Sequence, residues 1–419
     1  MIRMVKGFRD ILPEDVGLWQ HVEKTARELF ENFGFSEIRL PVLERTELFA
    51  RGIGADTDIV EKEMYTFTDR GGDLLTLRPE ATAGVVRAYI EHGFPANRPV
   101  QKLYTLGPMF RRERPQRGRF RQFSQINAEM LGVADPLADA NVLLLLLTFL
   151  SRVGVTDATA HVNSLGCPDC RPAYKEKLSA FIRDRAGELC ENCTRRAGTN
   201  PLRVLDCKSD NCARAVTDAP SITDHLCPAC REHFDAVLSA IGTLGQKVVL
   251  DPRLVRGLDY YTRTTFEVRT NALGAQNAIA GGGRYDGLVE LLGGPTTPGI
   301  GFAIGQDRLI EILAAQDKDY SLKPDVYLAW LGEKAKEKIF GWQVRLAMDG
   351  IRAETDLEGR SLKAHMKRAG KLGVRHVVVL GEEELARDEV LVRDMESSRQ
   401  ESLPVSEFLG YIHRLVGTR

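Results

Sequence analysis

Apolar residues recur along this chain with two periods, and the elements follow from them. Trp19, Val22, Ala26, Leu29, Phe30 and Phe33 fall three and four apart, which predicts an amphipathic helix over 16–33, ended by Gly34. SEIRLPVLE follows as a strand interrupted at Pro41. Between 64 and 131 the short extended runs MYTFTD, LLTLRPE, KLYTLGPMF and RQFSQINAEML alternate with turns, as in an antiparallel sheet. Helices are expected over Ala81–His92 and, deeply buried, over 137–153. Residues 164–238 read as a helical, charged insertion, after which strand-like sequence resumes near Val248 and runs through YYTRTTFEVRT to Gly305. Beyond Lys323-Pro324 the pattern changes. VYLAWL, IRAETD and VRHVVVLG read as strands, separated by helices near 333–349 and 361–372, so the last ~95 residues describe a small separate α/β domain.

Composition narrows the function classes. A chain of 419 residues has room for two to four domains of ordinary size. Its formal net charge of -1 excludes a chain-wide basic field that would bind nucleic acid indiscriminately, though not a local basic face. The longest apolar run, Val142 to Leu150, is about half the ~20 residues of a membrane span, and the N-terminal MIRMVKGFRD has no apolar signal core. The expectation is a soluble cytoplasmic enzyme or binding protein without a membrane partner.

Three segments carry candidate chemistry. FRRERPQRGRFRQF, from Phe110 to Phe123, places six arginines and Glu113 within Arg111–Arg121, with Pro115 and Gly118 setting a loop in the middle. Such a run can be a solvated charged hairpin. With Phe120 and Phe123 alongside, it also suits a nucleotide, whose base stacks while guanidinium forks hold its phosphates. RGLDYYTRTTFE puts Arg256, Asp259, Tyr260 and Tyr261 on an expected strand, and GGGRYDGL follows at 281–288. Its glycine triplet reads either as a tight turn packed under aromatics or as a close backbone approach to a ligand. GIGFAIG at 299–305 has the spacing GxGxxxG and no surrounding βαβ unit, so it is not a dinucleotide loop. Arg308 follows it at the expected start of a helix.

Together these segments resemble a class II aminoacyl-tRNA synthetase, and within that class the histidyl-tRNA synthetase family, over essentially the whole chain. KGFRDILPED resembles the family's N-terminus, and the helix–strand–Pro41 unit resembles motif 1, which builds the family's dimer interface. FRRE at 110–113 with Arg119–Phe123 resembles motif 2, and GIGFAIGQDRL resembles motif 3. RGLDYY and GGGRYDGL resemble two peptides of the histidyl enzymes. The resemblance implies an α+β chain with a class II synthetase-like catalytic domain, an antiparallel sheet with flanking helices, over 1–163 and 239–322. It further implies a helical Cys-rich insertion over 164–238 and a C-terminal α/β anticodon-binding domain over 323–419. The implied activity is a histidine–tRNA ligase: a homodimer that adenylates histidine with ATP and Mg²⁺, then transfers it to the 3′ end of tRNA.

By family position, Arg111, Arg256 and Arg308 would be catalytic. ATP would be held by Arg111, Glu113, Arg119, Phe123 and Arg308, and histidine by Glu80, Thr82, Gln125, Glu129, Tyr260 and Tyr261. Of these, Glu129 and Tyr261 would meet the imidazole, while Glu80, Thr82 and Gln125 would surround the α-amino group. Phe123 would stack on adenine, Arg308 would hold the γ-phosphate, and Arg256 would reach the α-phosphate opposite Arg111. The chain departs from the class pattern at Asn127, where an acid is usual, and at Asp307, where Glu is common. The helix LKAHMKRAGKL offers a basic face suited to a phosphate backbone or simply to solvent.

All eight cysteines lie between Cys167 and Cys230, as the pairs Cys167/Cys170, Cys190/Cys193, Cys207/Cys212 and Cys227/Cys230. Two Cys₄ zinc sites, reduced thiols and, less readily in a cytosolic chain, disulfides all satisfy that pattern. The 19-residue gap after Cys170 falls in zinc-ribbon range; His225 and His233 read as bystanders. Two other functions compete with the ligase. A synthetase-like regulatory subunit of histidine biosynthesis would be expected to lack the histidyl peptides and the terminal domain. A zinc-dependent nucleic-acid-binding module would leave Arg111, Arg256 and Arg308 without a purpose.

Overall fold

A helix over Pro13–Asn32 opens the fold, three residues earlier than the apolar spacing alone predicts, because Pro13 fits the first helical turn and Glu14 and Asp15 complement its dipole. In this computed structural model the described residues are 2–54, 57–114, 118–207, 209–258, 260–273, 277–316 and 318–417. Pro115, Arg117 and Asp259, singled out above, lie outside them. The chain forms two units, Met1–Tyr320 and Ser321–Arg419.

The first unit is built on an eight-stranded sheet. Its strands, with those of a smaller sheet, are in chain order β1 (Ser36–Glu37), β2 (Leu43–Arg45), β3 (Tyr65–Thr68), β4 (Leu74–Leu77), β5 (Gln101–Phe110), β6 (Gln122–Leu131), β7 (Thr159–Ser164), β8 (Val248–Leu250), β9 (Thr262–Arg269), β10 (Ala278–Arg284) and β11 (Gly299–Gly305). The large sheet runs β1-β5-β6-β11-β10-β9-β7-β8, antiparallel throughout except at its parallel edge pairs β1–β5 and β7–β8. SEIRLPVLE is therefore two strands rather than one interrupted strand: β1 joins the large sheet, and β2 joins a three-stranded sheet ordered β2-β4-β3. Pro41 cannot donate to a ladder, and the Arg78 guanidinium takes up the carbonyl of Leu40 (3.1 Å) where the chain changes sheet. The extended runs of 64–131 divide between the two sheets in the same way.

One face of the large sheet is the core. Period-two alternation sends Ile126, Ala128 and Met130 of β6, and Ile300, Phe302 and Ile304 of β11, toward the helices Pro13–Asn32 and Pro136–Val153. Phe30 sits at its centre, edge-on to Tyr104, Phe149 and Phe302 at 5.6–5.8 Å. The helix Pro136–Val153 is long and apolar enough to cross a membrane, but 61% of it is buried in this core. The residues between, Gln125, Asn127 and Glu129, face the other way.

The cysteine-bearing segment leaves after β7 and returns before β8. It is helical, over Arg171–Arg183, Glu191–Thr199, Asp210–Ala215 and Pro228–Thr243. The last helix has two jobs: Cys230 is buried at its start, while Phe234, Val237 and Ile241 pack into the main core. Tyr174, Leu178 and Ile182 of the insertion share a second core with Tyr260, Tyr261 and Tyr285.

The second unit carries β12 (Val326–Leu331), β13 (Ala353–Thr355), β14 (His376–Gly381), β15 (Glu389–Asp394) and β16 (Gln400–Pro404), ordered β13-β12-β14-β15-β16. The first three are parallel, as the β-α-β-α pattern predicts; the antiparallel pair β15–β16 adds a hairpin that the alternation does not announce. Helices Glu333–Met348 and Leu362–Leu372 are the two expected ones.

Candidate active site

The polar face of β6 floors a cavity of about 370 Å³ whose walls come from β10, β11, the 256–261 segment and the start of the helix Thr82–Glu91. Glycine makes the floor possible. A Cβ at Gly301, paired with Glu129 across β6–β11, would overlap the Glu129 carboxylate, and one at Gly281 would overlap the Arg256 guanidinium. The glycine triplet of 281–283 is therefore strand, not turn, and it serves close approach. Conversely, Arg256, Leu258, Tyr260 and Tyr261 are not strand: β9 begins at Thr262, and these residues line the cavity. Two tyrosines in a row on a strand would point to opposite faces, whereas here both rings sit together, 4.7 Å apart.

One end of the cavity is a buried carboxylate pocket. Glu129, 1% exposed, accepts from Thr82 Oγ1 at 2.7 Å and from the Tyr285 hydroxyl at 2.6 Å. Burial pushes its carboxyl up to about 8, against the pull of those two donors. Glu80 accepts the backbone N–H groups of Thr82 (2.8 Å) and Ala83 (2.9 Å), capping the helix Thr82–Glu91; burial nonetheless raises its carboxyl too. Tyr260, Tyr261 and Tyr285 close the pocket, all raised by burial. Gln125 Oε1 and both amide atoms of Asn127 are buried and unpartnered. Buried polar atoms without partners in a cavity wall are what a polar ligand would satisfy.

The other end is cationic. Arg111 donates to the Pro79 carbonyl (2.9 Å) and lies 5.3 Å from the centre of the Phe123 ring. Arg256 pairs with Glu267 (3.1 Å) and Arg119 with Glu113 (3.1 Å). Arg308, in the first turn of the helix Gln306–Ala314, donates to the Ala278 carbonyl (2.6 Å), and burial lowers its pKa, helped by the nearby Arg119. Asp307 does not face outward with them as a free acid. It accepts Arg9 and the Ser124 N–H, both at 2.7 Å, and so fastens the N-terminal segment to the start of β6.

The structure thus brings every residue expected at the site to one cavity: Arg111, Glu113, Arg119, Phe123, Arg256 and Arg308 at one end, with Glu80, Thr82, Gln125, Glu129, Tyr260 and Tyr261 at the other. It adds Tyr285, inside the quoted GGGRYDGL but not among the expected ligands, and Glu267, which only the β9–β10 pairing places opposite Gly281. The eight cysteines lie elsewhere, in two groups: Cys167, Cys170, Cys227 and Cys230, and Cys190, Cys193, Cys207 and Cys212. His233 is no ligand; it is buried against Asp139 at 2.8 Å.

A family model described as histidyl-tRNA synthetase matches residues 7–309, and one described as an anticodon binding domain matches 325–415. A curated relative from Desulfatibacillum aliphaticivorans, named histidine–tRNA ligase, is 57% identical over 416 residues, 99% of either chain. The crystal structure of apo S. aureus histidyl-tRNA synthetase superposes with a TM-score of 0.83 at 35% identity, covering 98% of this chain and 100% of that one. A Bacillus halodurans structure described as an ATP phosphoribosyltransferase regulatory subunit/histidyl-tRNA synthetase reaches 0.66 at 19% identity, over 91% of this chain and 98% of that one, which is likeness of fold alone.

Proposed function

The chain belongs to the histidyl-tRNA synthetase family, and from that premise we propose how its residues divide the work of joining histidine to tRNA. The protein is a histidine–tRNA ligase, an ATP-dependent aminoacyl-tRNA synthetase of the class II fold with a C-terminal anticodon-binding domain. The observation that carries the residue assignment is a buried carboxylate pocket, Glu129 with Thr82 and Tyr285, opening directly onto Arg111, Arg256 and Arg308.

Histidine enters with its ring toward Glu129 and Tyr261. A ring without the second nitrogen leaves the remaining lone pairs of the buried Glu129 carboxylate without a donor, and such an amino acid is rejected. Gln125, Thr82 and Glu80 hold the α-ammonium, and Gln125 Oε1 gains the partner it lacks. The carboxylate then points to the cationic end. Adenine stacks on Phe123, Arg308 takes the γ-phosphate, and Arg119 with Glu113 borders the nucleotide. Arg111 and Arg256 approach the α-phosphate from two sides. The histidine carboxylate oxygen bonds to the α-phosphorus as pyrophosphate leaves with the β–α bridging oxygen. Negative charge grows on the phosphoryl oxygens, and fixed guanidinium groups in a dry cavity stabilise that charge without reorganising. Mg²⁺, general to the class, neutralises the phosphates when bound; Glu113 and Glu267 are the carboxylates that would hold it, in keeping with a cation that takes one or two carboxylates and completes its shell on phosphate oxygens. The tRNA ribose hydroxyl next displaces AMP from the activated acyl group.

The protein is proposed to act in the cytoplasm as a homodimer, for which Leu43 and Phe67 leave exposed apolar side chains on one face of the three-stranded sheet. The cysteine quartets are proposed as structural zinc ligands. The regulatory-subunit reading is not favoured, since full-length relatives at 53–57% identity are named histidine–tRNA ligase and the terminal domain is present. Histidine-dependent ATP–pyrophosphate exchange tests the proposal: exchange with histidine alone among the amino acids, lost in Arg256→Ala, supports it, and no exchange by the folded, Mg²⁺-supplied protein rejects it.

A further inference from the structure

Sequence spacing offers Cys167/Cys170 to Cys190/Cys193, the next pair along, but the fold joins different pairs. Cys167 and Cys170 meet Cys227 and Cys230, and the second quartet is enclosed within the first. Cys167 Sγ lies 3.7 Å from Cys170 Sγ and 3.9 Å from Cys227 Sγ; Cys170 to Cys230 is 3.9 Å. Cys190 to Cys207 is 3.8 Å. These are non-bonded distances, and all eight cysteines are free. A tetrahedral ion with Zn–S bonds of ~2.3 Å sets its sulfurs about 3.8 Å apart, which is the spacing found.

The backbone around the sulfurs is arranged for thiolates. The Cys167 N–H points at Cys170 Sγ (3.2 Å), the Cys190 N–H at Cys212 Sγ (3.1 Å) and the Ser209 N–H at Cys207 Sγ (3.5 Å). Gly166, at φ +64°, lets Cys170 Sγ come to 2.6 Å from where a Cβ would stand.

Residues beside both quartets bond the loop that carries Arg256, Tyr260 and Tyr261. The outer quartet closes the neck of the insertion, where the chain leaves β7 and where the helix Pro228–Thr243 begins. Its neighbour Arg171 donates to the carbonyls of Leu165 (3.1 Å), Gly166 (3.3 Å) and Tyr261 (2.7 Å). From the inner quartet's side, Arg203 donates to the Gly257 carbonyl (2.5 Å).

We infer that this protein holds two tetrahedral zinc–thiolate sites, nested as Cys167/Cys170/Cys227/Cys230 around Cys190/Cys193/Cys207/Cys212, which brace the 256–261 loop through Arg171 and Arg203. Zn²⁺ displaces the remaining thiol protons as it binds, and it clips ends sixty residues apart in the outer site. The ligands are positioning residues; none of them touches substrate. The bracing part rests on the histidine-activation reading, and the metal part does not.

Metal content of the wild-type protein by plasma mass spectrometry is expected to be two zinc per chain; less than one, or iron in place of zinc, overturns the inference. Stepwise removal of metal by a chelator, with alkylation mapped by peptide mass, is expected to expose cysteines in the two nested quartets. Exposure of Cys167 and Cys170 together with Cys190 and Cys193 overturns the pairing. Cys167→Ser/Cys227→Ser is expected to keep one zinc, and Cys167→Ser/Cys190→Ser none; the opposite result overturns it too. In ATP–pyrophosphate exchange, zinc-stripped protein is expected to show KM for histidine raised roughly tenfold, the worth of one hydrogen bond to a charged group, with KM for ATP changed less than about twofold. An unchanged histidine KM, with zinc restored or removed, defeats the bracing. Two zinc per chain without any exchange by the wild type would refute the activation reading and the bracing with it, leaving the metal sites standing.

Discussion

The hydroxyl of Tyr285 lies 2.6 Å from Glu129 Oε2, and Thr82 Oγ1 lies 2.7 Å from Glu129 Oε1, so the deepest carboxyl group of the cavity is held at both oxygens. Tyr285 sits at the end of β10, Glu129 on β6, and β11 with its Gly301 runs between them. Burial raises this carboxyl to about 8 despite both donors. Burial thus favours the neutral carboxyl in the empty site, and the group becomes a full acceptor only when it ionises.

For Glu129→Gln two effects of opposite sign are expected. Histidine activation falls by at least about a hundredfold in kcat/KM, because the ring loses a charged acceptor in a water-poor pocket. The ratio of wild-type to variant kcat/KM rises with pH through about 8, since histidine's own titrations are common to both proteins. Stability moves the other way. The unfolded carboxyl ionises near 4.5 and the folded one near 8, so stability declines as pH rises between those values. The melting temperature of the empty variant, relative to wild type, should climb over that window; a flat difference would contradict the raised pKa.

Tyr285→Phe removes one of the donors that pull the Glu129 carboxyl down, so the alkaline shift of the activity profile should move further up. KM for histidine is expected to rise ten- to hundredfold, about the worth of a hydrogen bond to a charged group, with KM for ATP nearly constant. Initial-rate exchange at varied pH would show both, and an unmoved pH profile would remove Tyr285 from the pocket's electrostatics.

Gly281→Ala tests the phosphate end. The atoms nearest the new methyl are all in the guanidinium of Arg256, the far end of a flexible side chain that can be pushed aside, so the fold should survive. Misplacing a cation at the α-phosphate is expected to lower kcat about a hundredfold while histidine KM stays within a few-fold. Equal kcat in variant and wild type would show that Arg256 does not need its place over β10.

Behind the site, Arg284 is fully buried and bonds Asp139, which also meets His233. Burial pushes the Asp139 carboxyl up, but its His233 and Arg284 partners outweigh that and leave it below the usual range. Asp139→Ala takes the buried partner from a guanidinium that keeps only Asp286 (3.0 Å) as a counter-charge, and should cost about 3 kcal/mol in denaturant unfolding. Because the folded pKa is depressed, the wild-type advantage is present above the ordinary Asp range and fades as pH falls through it.

Much of this was legible from residue order. The 3.6-residue period placed the first helix, and RQFSQINAEML was legible as an extended run, which the fold shows as β6. The family resemblance named, by position, the residues that the fold then brings to one cavity. Hydrophobic period is a local property, and it survives whatever the chain does far away.

Tertiary structure decided the rest. Whether SEIRLPVLE is one strand or two depended on Arg78, which lies some forty residues on. That Tyr260 and Tyr261 line a cavity together and do not alternate on a strand shows only in the fold. Asp307 is legible as an acid in motif 3, but only the fold shows it tied to Arg9 and the Ser124 N–H. Cysteine spacing favoured near neighbours, yet loop-closure entropy grows only with the logarithm of length, so a sixty-residue span closes almost as readily as a nineteen-residue one. The sequence determined which groups this protein carries and which face of each element is apolar. Which of those groups meet was left to the packing of helices against one face of a glycine-floored sheet, since contacts between distant residues are fixed by the whole core at once and not by the spacing between them.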